Sequence, residues 1–101
     1  MARPRWRSGH AWRQLSARVI DEERAAHGLC GICSQPVDFA APARTPESPS
    51  VDHIIEPAEA PHLALDRSNL RLAHYGCNSR RGARYRHAAT VATTTVTTRR
   101  W

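Results

Sequence analysis

Four potential zinc ligands occur in the middle of the chain as two pairs with the same spacing, C-x2-C at residues 30–33 and H-x2-C at residues 74–77. Two ligands separated by two residues can reach one ion from a single tight turn, and structural zinc takes four ligands in a tetrahedron. The pairs therefore predict a structural zinc site, the zinc clip, formed by Cys30, Cys33, His74 and Cys77. Core thiols and a surface histidine are the competing interpretation, and His27 is a rival for the fourth ligand.

Polar side chains that could hydrolyse a phosphodiester accompany these pairs, namely Asp52, His53, Asn69 and Asn78. A neutral imidazole is a suitable general base near pH 7. Carboxylate and amide oxygens suit a hard divalent cation, which would stabilise the charge that develops on phosphate. Neighbours on a strand point to opposite faces, so Asp52 and His53 can share one site only if the strand ends there, as Pro57 suggests.

The composition indicates one small domain with a basic surface. The chain has 101 residues, of which 41% are hydrophobic and 6% aromatic, and a core this small often needs a metal or disulfides. Three cysteines exclude a framework of disulfides alone. Because no signal peptide and no membrane-spanning run is evident, we expect a cytoplasmic location, where zinc is favoured over a disulfide.

The net charge is +6, and all 15 basic residues are arginine. The absence of lysine is typical of a GC-rich genome, but that bias does not explain why basic residues outnumber acidic ones. A basic excess favours a polyanionic partner, most simply nucleic acid.

Periodicity and turn residues predict two helices with short strands between them. The N-terminal half is expected to contain a flexible basic arm over 1–10, a helix over 11–27 capped by Gly28, a zinc knuckle and short strand over 29–39, and a loop over 40–50. A strand over 50–55 and a turn over 66–70 should follow, with Leu70 and Leu72 directed into the core. A second helix is expected from 75–77 to about 87, and the tail over 88–101 could form an edge strand or stay disordered. The domain would span residues 11–87.

The ordered set C-x2-C, D-H-I-I, N-L, H-x2-C-N and R-G covers residues 30–82 and resembles the zinc-clipped HNH endonucleases of bacteriophages. The resemblance implies an α+β fold with a ββα-metal (His-Me finger) core, here preceded by an N-terminal helix. It makes His53 the general base and Asn69 the residue that braces the site. Asp52 and Asn78 would be the ligands of a catalytic Mg²⁺, Mn²⁺ or Ni²⁺.

The same resemblance implies DNA as the substrate, cut in one or both strands. The second helix should expose Arg80, Arg81, Arg84 and Arg86, and we expect Arg80, Arg81 and Arg84 to contact phosphate, since a guanidinium fork binds it bidentately. A phage-encoded enzyme of this kind would act in the host cytoplasm, with the terminase large subunit as an expected partner in DNA packaging.

Three features depart from the family pattern. The clip has His74 where many relatives have cysteine, Glu56 stands before Pro57, and the usual glycine pair is absent from the loop that contains His62. Glu56 could therefore add a carboxylate near the metal, whereas His62 is interpreted as a surface residue. The alternatives are a non-catalytic zinc module that binds DNA or protein, which would not need His53, and a toxin that acts on RNA.

Overall fold

The computed structural model of the chain describes Trp6 and residues 9–96, with side chains described up to residue 88. Its main elements are helix α1 (His10–Ala25), strands β1 (Pro49–His53) and β2 (Leu70–His74), and helix α2 (Tyr75–Val96). The strands form an antiparallel hairpin that runs directly into α2. This is the expected α+β fold, a ββα unit with an N-terminal helix. No helix in the described part of the chain has the length and apolarity to cross a membrane.

The two faces of β1 contact different helices. Val51 and His53 lie on the face covered by α1, where Val51 packs with Val19 and Leu70. The opposite face contacts α2, as shown by the hydrogen bond from Asn78 to Ser50 and the ion pair of Arg81 with Asp52. Side chains alternate along a strand, so Asp52 and His53 point to opposite faces. Because His53 is the last residue of β1, both can still line one cavity at the end of the strand.

The hydrophobic core is divided into two small clusters. One surrounds the predicted zinc clip and contains Cys30, Val37, Leu72, Ala73 and Cys77. The other lies between α1 and the hairpin. The prediction that Leu70 and Leu72 point into the core is confirmed, since they are 3% and 2% exposed. Each cluster is too small to stabilise a domain alone, so a metal staple is physically reasonable.

Helix α1 ends earlier than the glycine cap suggests. His27, not Gly28, takes the left-handed conformation after the helix, with φ of 54°. The Gly28 N–H then donates to the Glu23 carbonyl at 2.8 Å, which closes the last turn. His27 is exposed in this position.

Three sequence-based boundaries are corrected by the structure. The strand expected after the knuckle is wrong, because only an isolated bridge joins Leu29 and Pro36. Strand β1 stops at His53, and the two isoleucines of the D-H-I-I run are about half exposed. Helix α2 continues to Val96 through a segment rich in β-branched residues, because extending an existing helix adds one hydrogen bond per residue.

Parts of the predicted arm and tail lie outside the described residues, namely residues 1–5, 7–8 and 97–101. Within the predicted arm, His10 is already the first residue of α1. Trp6 packs its ring against Trp12 and His53.

Candidate active site and zinc site

The four predicted clip residues converge on one point. The Sγ atoms of Cys30, Cys33 and Cys77 and a ring nitrogen of His74 all lie within 4.8 Å of one another. His74 Nδ1 is 3.3 Å from Cys33 Sγ and 3.7 Å from Cys77 Sγ. Tetrahedral zinc separates such ligand atoms by about 3.5–3.8 Å. The cluster therefore fits a structural zinc ion, and His27 is not part of it.

Hydrogen bonds with the backbone lower the pKa of one clip thiol and orient the clip imidazole. Burial alone would raise the pKa of the Cys30 thiol, but hydrogen bonds from the backbone N–H groups of Cys33, His74 and Ile32 lower that pKa to about 6. Burial raises the pKa of the Cys77 thiol. His74 donates from Nε2 to the Pro36 carbonyl at 2.8 Å, which leaves the Nδ1 lone pair facing the thiols. A Cys30 thiol with a lowered pKa and an oriented imidazole both favour zinc binding, because the metal takes deprotonated ligands.

The imidazole of His53 is buried, with 8% of the residue exposed. Its Nε2 lies 3.0 Å from the Ala64 carbonyl oxygen. A carbonyl can only accept, so Nε2 carries the proton and Nδ1 holds the lone pair. The hydrogen bond thus fixes the tautomer in which Nδ1 can act as a base.

Asn69 ties together the chain that follows β1. Its Oδ1 accepts from the Ile55 N–H at 2.9 Å, and its Nδ2 donates to the carbonyls of Ile55 at 3.0 Å and Leu63 at 3.3 Å. The Asn69 side chain is buried, with 5% of the residue exposed, while its partner Ile55 is 43% exposed. Asn69 therefore holds the loop that carries Ala64, the partner of His53. Its part in catalysis stays a prediction.

Asp52 is only 3% exposed and is held by two arginines. Its Oδ2 accepts from Arg71 Nε at 2.8 Å, and its Oδ1 accepts from Arg81 Nη1 at 2.9 Å. Arg71 is also its cross-strand partner in the hairpin register. Sequence reasoning missed this contact, because a hairpin register is not visible before the turn between the strands is known.

Asn78 lies on the first turn of α2 beside β1. Its Nδ2 donates to Ser50 Oγ at 2.9 Å and to the Val51 carbonyl at 3.1 Å. Among the described residues no donor contacts its Oδ1, so this oxygen is available to a cation. Asn78 and Asp52 line the same cavity of about 670 Å³, which His53 also lines. The donor set of one carboxylate and one amide oxygen fits a hard divalent ion.

The arginines predicted to form one exposed face do not all point outward. Arg80, Arg84 and Arg86 are exposed. Arg81 is instead turned toward β1, where its guanidinium contacts Asp52 and Glu56 and the carbonyls of His53 and Ile54. The expectation that Arg81 lies on an exposed face was therefore wrong, because two carboxylates and two carbonyls provide it with inward partners.

Two tryptophans complete the wall of the cavity near His53. In the sequence, Trp12 begins an apolar stripe at helical spacing that continues with Leu15 and Val19, a pattern that indicates packing in the core. Its ring in fact stacks on the imidazole, and the Trp6 ring meets both. The helical stripe was the signal that Trp12 faces the hairpin, but nothing in it indicated His53 as the contact.

The chain matches the family model of the HNH endonucleases over residues 30–84. The match spans more than half of the chain and contains the zinc clip, both strands and the first part of α2. No curated protein and no solved structure matches the chain. On the family match, and with the ββα unit and Cys3His cluster in place, the chain belongs to the HNH endonuclease family of phosphodiester hydrolases.

Proposed function

We propose that the protein is a metal-dependent endonuclease that hydrolyses DNA, with His53 as its general base. The observation that carries this proposal is the fixed tautomer of His53 on the wall of the cavity that Asp52 and Asn78 also line. A base, a cation-binding donor set and room for a phosphate are the components that phosphodiester hydrolysis needs.

In this proposal His53 Nδ1 takes a proton from water as the water oxygen attacks phosphorus. The bond from phosphorus to the 3′ oxygen breaks and that oxygen takes a proton from solvent water, which leaves a 5′-phosphate and a 3′-hydroxyl. Asp52 and Asn78 would hold Mg²⁺, Mn²⁺ or Ni²⁺, which when bound supplies charge stabilisation to the phosphorane and the leaving oxygen. Asn69 keeps the loop of Ala64 closed, so that the His53 ring stays oriented.

The surface charge supports DNA as the substrate. The chain carries a net charge of +6, and the exposed Arg80 and Arg84 lie on α2, the helix that also carries Asn78. Contacts of this kind read the phosphate backbone and not the bases, so we expect weak sequence preference and a strong dependence on salt. Arg81 is the third predicted phosphate contact, but it must first leave Asp52.

The decisive experiment is cleavage of supercoiled plasmid by the zinc-loaded protein with each of the three ions, comparing wild type with His53→Ala. His62→Ala is the matched control, because His62 is an exposed histidine of the nearby loop. We expect metal-dependent cleavage in wild type and in His62→Ala, and loss of cleavage in His53→Ala. Equal activity of all three proteins would contradict His53 as the base.

One observation favours a second candidate, a non-catalytic zinc module that binds DNA. Both carboxylate oxygens of Asp52 are paired with arginine, as in a purely structural ion-pair network. That module would bind DNA through Arg80 and Arg84 with the zinc clip intact and would cleave with none of the ions. The plasmid experiment therefore separates the two candidates directly.

The likeness to zinc-clipped phage nucleases supports a finer proposal, that the enzyme acts beside a terminase large subunit during DNA packaging. Co-purification of the zinc-loaded chain with such a subunit, and a change in cleavage on adding it, would support this role. Normal cleavage of DNA without binding to the terminase subunit would contradict the packaging role but not the nuclease proposal.

A further inference from the structure

The guanidinium of Arg81 lies where oxygen atoms converge from three sides. Its Nη1 is 2.9 Å from Asp52 Oδ1, 2.9 Å from Glu56 Oε2 and 3.0 Å from the His53 carbonyl oxygen. Its Nη2 donates to the Ile54 carbonyl at 3.1 Å. Arg81 is thus one of the two cations that neutralise the proposed metal ligand, and it also holds the chain that follows β1.

A second cation cannot bind Asp52 without meeting this charge. A buried carboxylate needs a counter-charge to remain ionised, and arginine provides it here. A divalent ion at Asp52 would be repelled by a guanidinium held on the same carboxylate, and the repulsion is strong where water is largely excluded. Either the ion binds weakly or one arginine moves away.

Arg81, and not Arg71, belongs to the helix that carries the other expected phosphate contacts. Arg71 lies on β2, and its side chain passes over Gly31 of the knuckle, where a Cβ would lie only 2.5 Å from Arg71 Cδ. Arg81 lies on α2 between the exposed Arg80 and Arg84, and 26% of its side chain is exposed, against 31% for Arg71. To reach a phosphate beside Arg80 and Arg84, the Arg81 guanidinium must leave the two carboxylates and two carbonyls that it contacts.

We propose that Arg81 is a positioning residue that serves as the resident counter-ion of Asp52 and passes to a DNA phosphate when the divalent ion binds. The inference rests on the proposed function and adds a regulation of the same site. The carboxylate and the phosphate compete for one guanidinium, so metal binding frees Arg81 for DNA. By thermodynamic reciprocity, DNA must tighten metal binding by the same factor.

The test measures binding, with cleavage disabled by a His53→Ala background. Mn²⁺ affinity is measured by electron paramagnetic resonance with and without a short DNA duplex, and DNA affinity by fluorescence anisotropy with and without Mn²⁺ at constant ionic strength. In the background protein we expect each ligand to tighten the other about ten-fold, within the usual range of coupling between sites. Adding Arg81→Gln should tighten Mn²⁺ binding without DNA by about ten-fold, because one like charge is gone. It should also weaken the coupling, leaving only the part that comes from direct contact between the ion and the phosphate.

Two further variants separate the charge of Arg81 from its packing. Arg81→Lys keeps a cation beside Asp52 and should retain weak Mn²⁺ binding. Arg18→Gln removes the same charge from an exposed position on α1 and should leave Mn²⁺ affinity unchanged. If Arg81→Gln does not fold, Glu56→Gln provides a second test. It weakens the ion pair that keeps Arg81 turned inward, so it should strengthen DNA binding in the absence of metal.

The proposal is overturned if folded Arg81→Gln binds Mn²⁺ no more tightly than its parent, or if the substitution leaves the coupling to DNA unchanged. Such a result would leave the nuclease intact, provided that wild type cleaves plasmid and His53→Ala does not. Failure of the nuclease itself would appear separately, as no cleavage by zinc-loaded wild type.

Discussion

The imidazole of His53 lies nearly parallel to the indole of Trp12, with ring centroids 5.1 Å apart and an angle of 15° between the planes. The edge of Trp6 closes the arrangement, 4.8 Å from the imidazole centroid. Trp12 belongs to α1, which precedes the residues that match the family. Helix α1 therefore covers the hairpin and also supplies the ring that stacks on one face of the His53 imidazole, the proposed base.

Replacing Trp12 should damage both the fold and the base. Trp12→Ala removes the stacked ring and its packing beside Val19, and we expect a loss of about 2–4 kcal/mol in the free energy of unfolding. The rate of cleavage should fall even where the protein is still folded, because the His53 ring loses the stacked indole that helps to hold its orientation. Trp12→Phe keeps an aromatic face and should retain most of both properties. Urea denaturation and plasmid cleavage measure these effects, and equal losses in the two variants would argue against stacking.

Asn69→Ala should be among the most damaging polar substitutions. It removes three hydrogen bonds and leaves the N–H and the carbonyl of Ile55 without a partner among the described residues, whereas the Leu63 carbonyl keeps its bond from the Asp66 N–H. Groups left unsatisfied are costly, so we expect a loss of about 2–4 kcal/mol in the free energy of unfolding. Ser68→Ala, at the exposed neighbouring position, removes one hydrogen bond to Asp66 and should cost about 1 kcal/mol or less. Similar values for the two variants would show that Asn69 does not brace the loop.

Removing zinc should unfold the protein, whereas removing the catalytic ion should not. The zinc clip joins the knuckle to the start of α2, and one of the two core clusters is built around Cys30 and Cys77. We expect chelation to abolish the circular dichroism of the folded state, and added Zn²⁺ to restore it. Full structure in protein that metal analysis shows to be free of zinc would refute the clip. Withholding Mg²⁺ or Mn²⁺ from zinc-loaded protein should change activity alone.

The ion pairs between α1 and the hairpin should contribute little. Arg67 lies 3.1 Å from Glu22 and 3.7 Å from Glu23, but these side chains are partly exposed. Exposed pairs are worth about 1 kcal/mol or less and weaken with salt. We therefore expect Glu22→Gln to lower the free energy of unfolding only slightly in denaturant titrations at low salt, and not measurably at high salt. A larger loss that persists at high salt would indicate a role beyond the ion pair.

The order of the motifs was sufficient to predict the core of the fold. The equal spacing in the two halves of the zinc clip limits the ligands to a few arrangements. The β-branched run before Ile55 predicts the first strand, and a helix is predicted to begin near Tyr75–Cys77. The second strand of the hairpin follows only from the resemblance to the family, and the structure confirms the ββα order that the resemblance implies.

The surroundings of the site could not be predicted, because they depend on contacts between distant segments. The pairing of Asp52 with Arg71 follows from strand register, and the inward turn of Arg81 follows from how α2 crosses β1. The extension of α2 to Val96 was missed for a different reason. Its threonines and valines favour strands in isolation, but a helix that is already formed continues through them.

Cys77, Asn78 and Arg81 follow one another within the first two turns of α2. Each residue of an α-helix is rotated by about 100° from the one before it. A single insertion or deletion between Cys77 and Arg81 would therefore turn the zinc ligand and the site residues toward different sides of the hairpin. The surface turns of residues 39–45 contain no such ligand, so the chain can change length there without altering the register of the site.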